Sequence, residues 1–347
     1  MEMWQRRAWW LGVSAEQSRL HPARSRVKWV EMARSLQLDT IKGILLVLVV
    51  LAHSMEVALE GTAGRAGGAW GVLYASIYLF HMPVFVFVSG YLTNPAKDVL
   101  RHAREILLLY VAAQAVWVAY EVVLGLTVSR ELLPGGYEVI LVGPGWGLWY
   151  LLSLFFWRAM TPVLAAVRWP VPALLALCGL AALAGRLELS GLLSLARTVS
   201  FLPFFAAGLW ARQHGWWLTE RRFRWTDAVL IPAALAVMPW LVQTSYEKTH
   251  ELTYMSRPFE ALGVSLADGV AFRLGMLLVG IVFARLFFWA VPAVGGVFAR
   301  IGATLDTMTT ASSGGSCITS PGVSSGRAVS CRLTITWLSH GARRWPA

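Results

Sequence analysis

The chain has 347 residues, of which 57% are hydrophobic and only 14% are charged. Soluble globular domains are about 25% charged, so this composition excludes an ordinary soluble enzyme. A membrane-spanning helix needs about 20 apolar residues, and the length therefore suffices for about ten spans. The net charge of +11 would indicate nucleic-acid binding in a soluble protein, but in an apolar chain it reflects membrane orientation. We therefore predict a polytopic protein of the lipid bilayer with no nucleic-acid partner.

Apolar stretches follow one another along most of the chain. They predict an all-α, polytopic transmembrane helical bundle of about eight spans. The stretches cover residues 41–59, 71–92, 106–128, 147–167, 171–184, 192–211, 228–242 and 270–291. The earlier apolar run at residues 8–13 is too short for a signal peptide and has no small-residue cleavage site, so we predict no cleaved leader.

Basic residues indicate how the bundle is oriented, because cytoplasmic loops carry an excess of Lys and Arg. If the basic segment 1–37 is cytoplasmic, the inside loops 93–105 and 212–227 are basic as well. In the outside loops 129–146 and 243–269, acidic residues match or outnumber basic ones. Because the loops obey one orientation, we predict a multi-pass protein of the plasma (inner) membrane with a cytoplasmic N-terminus.

The composition changes abruptly near residue 304. Residues 38–303 form the predicted transmembrane domain, whereas residues 304–347 are rich in Ser, Thr and Gly and hold no stretch able to span. Such a composition predicts a disordered tail. The change just after Gly302 fits a frameshifted or truncated reading frame at least as well as a natural cytoplasmic tail.

The first span contains ionisable residues where the bilayer disfavours them. Lys42 and His53 are eleven positions apart, which is about three helical turns, so they share a face about 16 Å apart along the axis. Asp39 and Glu56 fall on the same stripe and are candidates for substrate binding. Each residue also has a structural alternative. His53 would be hydrogen-bonded to a neighbouring helix, and Lys42 would extend to the cytoplasmic interface. Asp39 would begin the helix, where an acid is favourable, and Glu56 would be solvated near the outer surface.

The second span has a polar stripe around a second histidine. Residues at spacings of three and four share one helical face, and this face consists of Tyr74, Tyr78, His81, Phe85 and Ser89. His81 lies near the middle of the span, two residues before Pro83, which predicts a locally kinked helix. The alternative is a packing helix whose His and Tyr side chains bond to neighbouring helices.

Neither metal binding nor a disulfide framework is predicted. Cys178, Cys317 and Cys331 show no CxxC spacing and no Cys/His cluster. The two histidines lie on separate spans without an adjacent carboxylate pattern.

Together these motifs resemble the acyltransferase family 3 integral-membrane proteins, which include fucose 4-O-acetylase-like and glucan-modifying members. The first-helix signature of the family is a basic residue, ten intervening residues and a histidine, which Lys42 and His53 match. The basic residue is more often arginine, and the lysine form resembles the fucose O-acetylase-like branch. Further similar motifs are Phe80-His81-Met82-Pro83, Ser89-Gly90-Tyr91, Arg101-His102-Ala103-Arg104 and residues 148–152 and 201–208. The resemblance covers residues 38–301.

The resemblance implies O-acylation, commonly O-acetylation from acetyl-CoA, of a hydroxyl on a sugar, polysaccharide or other extracytoplasmic acceptor. His53 would be the general base that takes the hydroxyl proton. His81 would position the acceptor or polarise the thioester carbonyl, and Lys42 would stabilise negative charge below the base. Acetyl-CoA is then a co-substrate, and no metal is needed.

Other family positions imply contacts with the two substrates. Arg101 and Arg104 would bind the coenzyme A phosphates. The alternative, which their spacing alone favours, is that both arginines only set the orientation of the protein in the membrane. Trp149 and Tyr150 would flank the acyl channel or acceptor, with interfacial packing as the alternative. Family members carry about ten helices, with a further histidine-containing span near the C-terminus. The resemblance therefore implies that this chain lacks its last helices, and that it is inactive if catalysis requires them.

A different class remains open from the residues themselves. A proton-coupled transporter or flippase for a polar or lipid-linked solute would use His53, His81 and Glu56 as a proton relay. The sequence shows neither repeated halves nor paired broken helices, and the basic loop at Arg101 and Arg104 would have no role. A structural or receptor-like membrane protein is the third alternative, in which the histidines would be dispensable.

Overall fold

The computed structural model describes residues 22–60, 69–95, 99–128, 143–186, 193–220, 222–247, 251–293 and 295–310. These residues form α-helices and short 3₁₀ turns, and no β-strand occurs among them. The α-helices are α1 (Pro22–Glu60), α2 (Ala69–Leu92), α3 (Val99–Thr127), α4 (Trp149–Ala165), α5 (Pro170–Leu183), α6 (Leu195–His214), α7 (Trp225–Glu247), α8 (Glu251–Tyr254), α9 (Leu266–Ala290) and α10 (Val297–Thr310). The predicted all-α fold is confirmed.

Each predicted apolar stretch coincides with one of these helices, but the predicted number of eight spans is not confirmed. In the described part of the chain, five helices are long and apolar enough to cross a membrane. These spans are Leu36–Met55, Ala69–Leu92, Arg101–Thr127, Trp225–Thr244 and Leu266–Ala290. Helix α5 has 14 residues, which at about 1.5 Å per residue is shorter than the hydrocarbon core of roughly 30 Å.

Helices α2 and α6 form the centre of the bundle. Every residue from 201 to 211 on α6 is buried, whereas α3 and α7 turn many apolar side chains outward. Examples of outward-facing residues are Leu108, Val111, Val116, Val229 and Leu235. An apolar helix with an exposed apolar face is the pattern expected where a helix contacts lipid.

Glycines allow α2 and α6 to touch through their backbones. A Cβ atom added at Gly90 would clash with the carbonyl of Phe205, and one added at Gly208 would clash with the carbonyl of Phe87. Small residues at helix interfaces permit this close approach in membrane proteins. The two reciprocal contacts therefore fix the separation of α2 and α6.

A similar contact joins α1 to α10. Gly43 faces the carbonyl of Phe298, and Gly302 faces the carbonyl of Asp39. Helix α10 includes residues 304–310, the first part of the predicted tail, while residues 311–347 lie outside the described residues. The amide nitrogen of Gln37 donates to the Phe288 carbonyl at 2.8 Å, which ties α1 to the end of α9.

A buried ion pair anchors the segment that precedes α7. Arg285 Nη2 lies 2.9 Å from Asp227 Oδ2, and both side chains are 3% exposed. The same guanidinium donates to the backbone carbonyls of Glu220 and Arg222. Charge-assisted bonds of this kind make a buried ion pair tolerable. Arg285 thus fixes the turn between α6 and α7.

The glycine contact between α2 and α6 predicts a steep penalty for one added methyl group. We expect Gly208→Ala to lower the free energy of unfolding by about 1–3 kcal/mol, because the helices must separate or distort. The measurement is thermal unfolding of the purified protein in detergent. Gly179→Ala is the matched control, since a Cβ atom there meets nothing within 4 Å. An equal loss of stability in both variants would contradict the close contact.

Candidate active site

A cavity of about 270 Å³ lies among α1, α2, α4, α6 and the segment around α8. Both predicted catalytic histidines line it, although they belong to different helices. The described lining residues are His53, Tyr78, His81, Met82, Pro144, Trp149, Arg197, Phe201, Thr253 and Tyr254. The cavity thus combines aromatic walls with a small number of polar groups, as ligand sites generally do.

His53 is half-buried on α1 and is held by a residue of α2. Its Nδ1 atom lies 3.2 Å from the hydroxyl oxygen of Tyr78. The two rings meet edge to face, with centroids 6.0 Å apart. If Nδ1 donates to Tyr78, the neutral ring has its lone pair on Nε2, which is the form that a base requires.

His81 is fully buried on α2. Its Nδ1 atom lies 2.8 Å from the backbone carbonyl of Ile77. A carbonyl only accepts hydrogen bonds, so Nδ1 carries the proton, and in the neutral ring Nε2 is an acceptor. Among the described residues, Nε2 of His81 has no hydrogen-bond partner. The ring of Tyr78 packs edge to face on that of His81, at 4.9 Å between centroids, and so Tyr78 contacts both histidines.

Tyr254 of α8 also lines the cavity. Its hydroxyl oxygen lies 2.6 Å from that of Tyr74, and its ring packs against Tyr78 at 5.3 Å. Arg197 Nε donates to the Tyr254 carbonyl at 3.1 Å. The Arg197 guanidinium carbon also lies 5.2 Å from the centre of the Trp149 ring, a cation–π distance. Side chains of α2 and α6 thus hold the short helix in place.

Lys42 and Asp39 lie on α1 away from the cavity. Lys42 Nζ is 2.9 Å from Asp39 Oδ1, and the lysine side chain is 6% exposed. Lys42 precedes His53 by about three turns, or roughly 16 Å along the axis. The structure therefore brings these two residues to each other, next to the glycine contact with α10, and not to His53.

The remaining predicted site residues are spread over the bundle. Trp149 lines the cavity, whereas the Tyr150 hydroxyl is bonded to Ser89 at 2.6 Å, away from the cavity lining. Arg101 and Arg104 are exposed at the start of α3, where Arg101 Nε is 3.3 Å from Glu105 Oε1.

Two further predictions concern Glu56 and metal ions. The side chain of Glu56 lies outside the described residues. Within the described ranges, no group of three or more His, Cys, Asp or Glu residues is arranged to hold a metal ion.

Arg197, Thr253 and Tyr254 line the cavity but were not predicted from the sequence. Arg197 lies inside a stretch interpreted only as apolar, and its charge in a span was a usable signal. Tyr254 and Thr253 belong to a long connection that was interpreted only for its charge balance. No local spacing relates this connection to the histidines of α1 and α2.

The hydroxyl contact between Tyr74 and Tyr254 predicts coupled effects on stability. We expect Tyr74→Phe and Tyr254→Phe each to lower the free energy of unfolding by about 1 kcal/mol, the net value of a neutral hydrogen bond. The double variant should lose no more than either single one, because both remove the same bond. Thermal unfolding in detergent measures the cycle. Fully additive losses would contradict the contact.

Comparisons with known proteins identify the family of this chain. A family described as an acyltransferase domain matches residues 35–304. Nodulation protein NolL of Mesorhizobium japonicum is 28% identical over 232 residues, which cover 61% of this chain and 58% of that protein. Nodulation protein NolL of Sinorhizobium fredii is 37% identical over 62 residues, or 18% of this chain and 16% of that protein.

The chain thus aligns with less than two thirds of the length of these relatives. No solved structure is significantly similar to it. The family match and the apolar helices show a multi-pass membrane protein, and the chain belongs to the acyltransferase domain family.

Proposed function

We propose that this chain is a membrane-bound O-acyltransferase. It moves an acyl group from acyl-CoA to a hydroxyl of a sugar, polysaccharide or other extracytoplasmic acceptor. The proposed acyl group is acetyl, with acetyl-CoA as the donor. The observation that carries the proposal is that His53 and His81 line the same cavity in a chain of an acyltransferase family. The membrane in question is the plasma membrane, with the N-terminus in the cytoplasm.

His53 serves as the general base in this proposal. A hydroxyl is a weak nucleophile at neutral pH, so its proton must leave as it attacks the thioester carbonyl. His53 Nε2 takes that proton while Nδ1 donates to Tyr78, which holds the ring in the required tautomer. When the tetrahedral intermediate collapses, the carbon–sulfur bond breaks. The imidazolium then returns the proton to the coenzyme A thiolate.

His81 positions the acceptor. Its Nδ1 proton is directed to the Ile77 carbonyl, so Nε2 of the neutral ring accepts a hydrogen bond and cannot donate one. A second hydroxyl of the acceptor, other than the one whose proton His53 takes, is a suitable donor, whereas a thioester carbonyl is not. Of the two roles expected from the sequence, the geometry therefore favours positioning over polarisation.

The donor approaches from the cytoplasmic side. Arg101 and Arg104 are exposed and would bind the coenzyme A phosphates there. Lys42 and Asp39 form an ion pair on the cytoplasmic side of the base, where they would meet the incoming donor. Trp149 flanks the acceptor.

Two further residues have secondary roles in this proposal. Glu56 follows His53 by three positions in the sequence, and its proposed role is to bind the acceptor. Tyr150, bonded to Ser89, holds α4 against α2 and so supports the neighbouring Trp149 in the cavity wall.

The general-base role predicts a large loss of turnover in His53→Ala. We expect coenzyme A release from acetyl-CoA, measured with a panel of sugar acceptors, to fall by at least about 100-fold. His214→Ala is the matched control, because His214 is exposed at the end of α6 and should retain wild-type turnover. If the wild type neither binds nor cleaves any acyl-CoA, the proposal fails and a transporter becomes the better hypothesis.

The positioning role of His81 predicts different results for two amide substitutions. His81→Asn keeps a donor near the Ile77 carbonyl but loses the acceptor at the Nε2 position, and so we expect the acceptor KM to rise about tenfold. His81→Gln places a polar group near that position and should have a smaller effect. Steady-state kinetics separate KM from kcat. A wild-type KM in His81→Asn, with lost stability instead, would indicate a purely structural residue.

A further inference from the structure

Arg197 gives the cavity a permanent positive charge. Among the described lining residues, it is accompanied by two histidines and by hydroxyl and aromatic side chains, with no Asp or Glu. An arginine retains its charge at any physiological pH. An arginine inside a helical membrane bundle is also costly and usually marks a substrate pathway. The chemistry proposed above has no role for this residue.

The guanidinium is fixed before any ligand arrives. Its Nε atom donates to the Tyr254 carbonyl, and its central carbon, Cζ, lies over the Trp149 ring. Tyr254 is in turn held by Tyr74 at 2.6 Å. A group held on two sides loses little conformational freedom on binding, which favours affinity for a matching ligand.

The size of the cavity places Arg197 and the histidines against the same ligand. Sites for drug-sized ligands have volumes of roughly 300–1,000 Å³, and this cavity of about 270 Å³ is slightly smaller than the smallest of them. A single sugar unit that presents a hydroxyl to His53 would therefore also face Arg197. Its other substituents would lie along Trp149 and Phe201.

We propose that Arg197 and Trp149 form a subsite for an anionic group on the hydroxyl acceptor. The group is a carboxylate or a phosphate, because both match the planar fork of a guanidinium. The acceptor is then an acidic sugar unit and not a neutral one. This inference rests on the proposed function only in treating the occupant of the cavity as the acceptor.

The test is ligand binding without acyl-CoA. Isothermal titration calorimetry of the purified full chain compares glucose, glucuronate and glucose 1-phosphate, so that carboxylate and phosphate are distinguished. At least one anionic ligand should bind the wild type ten or more times as tightly as glucose. Arg197→Gln should abolish this preference, and Arg197→Lys should keep only part of it because the fork is lost.

Arg186→Gln is the matched control. Arg186 is exposed in the turn after α5 and is absent from the described lining of the cavity, so its removal changes the net charge equally and should leave the preference intact. Thermal unfolding confirms that each variant is folded. Wild-type protein that binds glucose as tightly as both anions, or that binds none of the three, overturns the inference. A preference for the anionic ligand that is still present in Arg197→Gln also overturns the inference.

Acetyl-CoA turnover distinguishes this inference from the proposed function. An anion preference that depends on Arg197, without coenzyme A release for any acceptor, supports the subsite and contradicts the acyltransferase proposal. Turnover with equal kcat/KM for glucose and glucuronate, unchanged in Arg197→Gln, supports the acyltransferase proposal and overturns the subsite.

Discussion

The close approach of α2 to α6 determines the geometry of the cavity. Gly90 and Gly208 let the two backbones touch, and lipid provides no hydrophobic force that would otherwise bring helices together. His81 lies nine positions before Gly90, and Phe201 lies seven positions before Gly208. Helices α2 and α6 therefore touch at Gly90 and Gly208, and their preceding turns line the candidate active site. The backbone contact thus sets the distance between these two walls of the cavity.

Buried polar groups in this bundle fall into two kinds. Arg285 is paired with Asp227, and Arg273 donates to the Ala181 carbonyl and the Ser200 hydroxyl at 2.9 and 3.0 Å. These groups connect helices and satisfy one another, as an apolar surrounding demands. By contrast, His81 lines the cavity, and its acceptor nitrogen Nε2 has no hydrogen-bond partner in the described structure. An ionisable residue in a span thus indicates function when it faces such a space, and a structural role when its bonds are complete.

The sequence predicted the helices and part of the site. Apolar stretches located the helices because hydropathy and length act locally. The positions of His53 and His81 inside two predicted spans identified two residues that share the cavity. Helical periodicity also placed Lys42 and His53 on one face of α1. Residues three turns apart on a helix are too distant to form one site, and Lys42 is paired with Asp39. Arg197 and Tyr254 were not predicted, because their proximity to the histidines depends on how α6 and α8 pack against α2, which no local pattern contains.

The most direct test of the central claim is a structure of the protein with a non-hydrolysable acetyl-CoA analogue, in which a methylene group replaces the thioester sulfur. We expect the acyl carbonyl to lie in the cavity between His53 and His81. The carbonyl carbon should leave room for an acceptor oxygen at about 3–3.5 Å, which is the distance of a near-attack geometry. An analogue whose acyl group binds elsewhere in the protein, with the cavity of both histidines left empty, would contradict it.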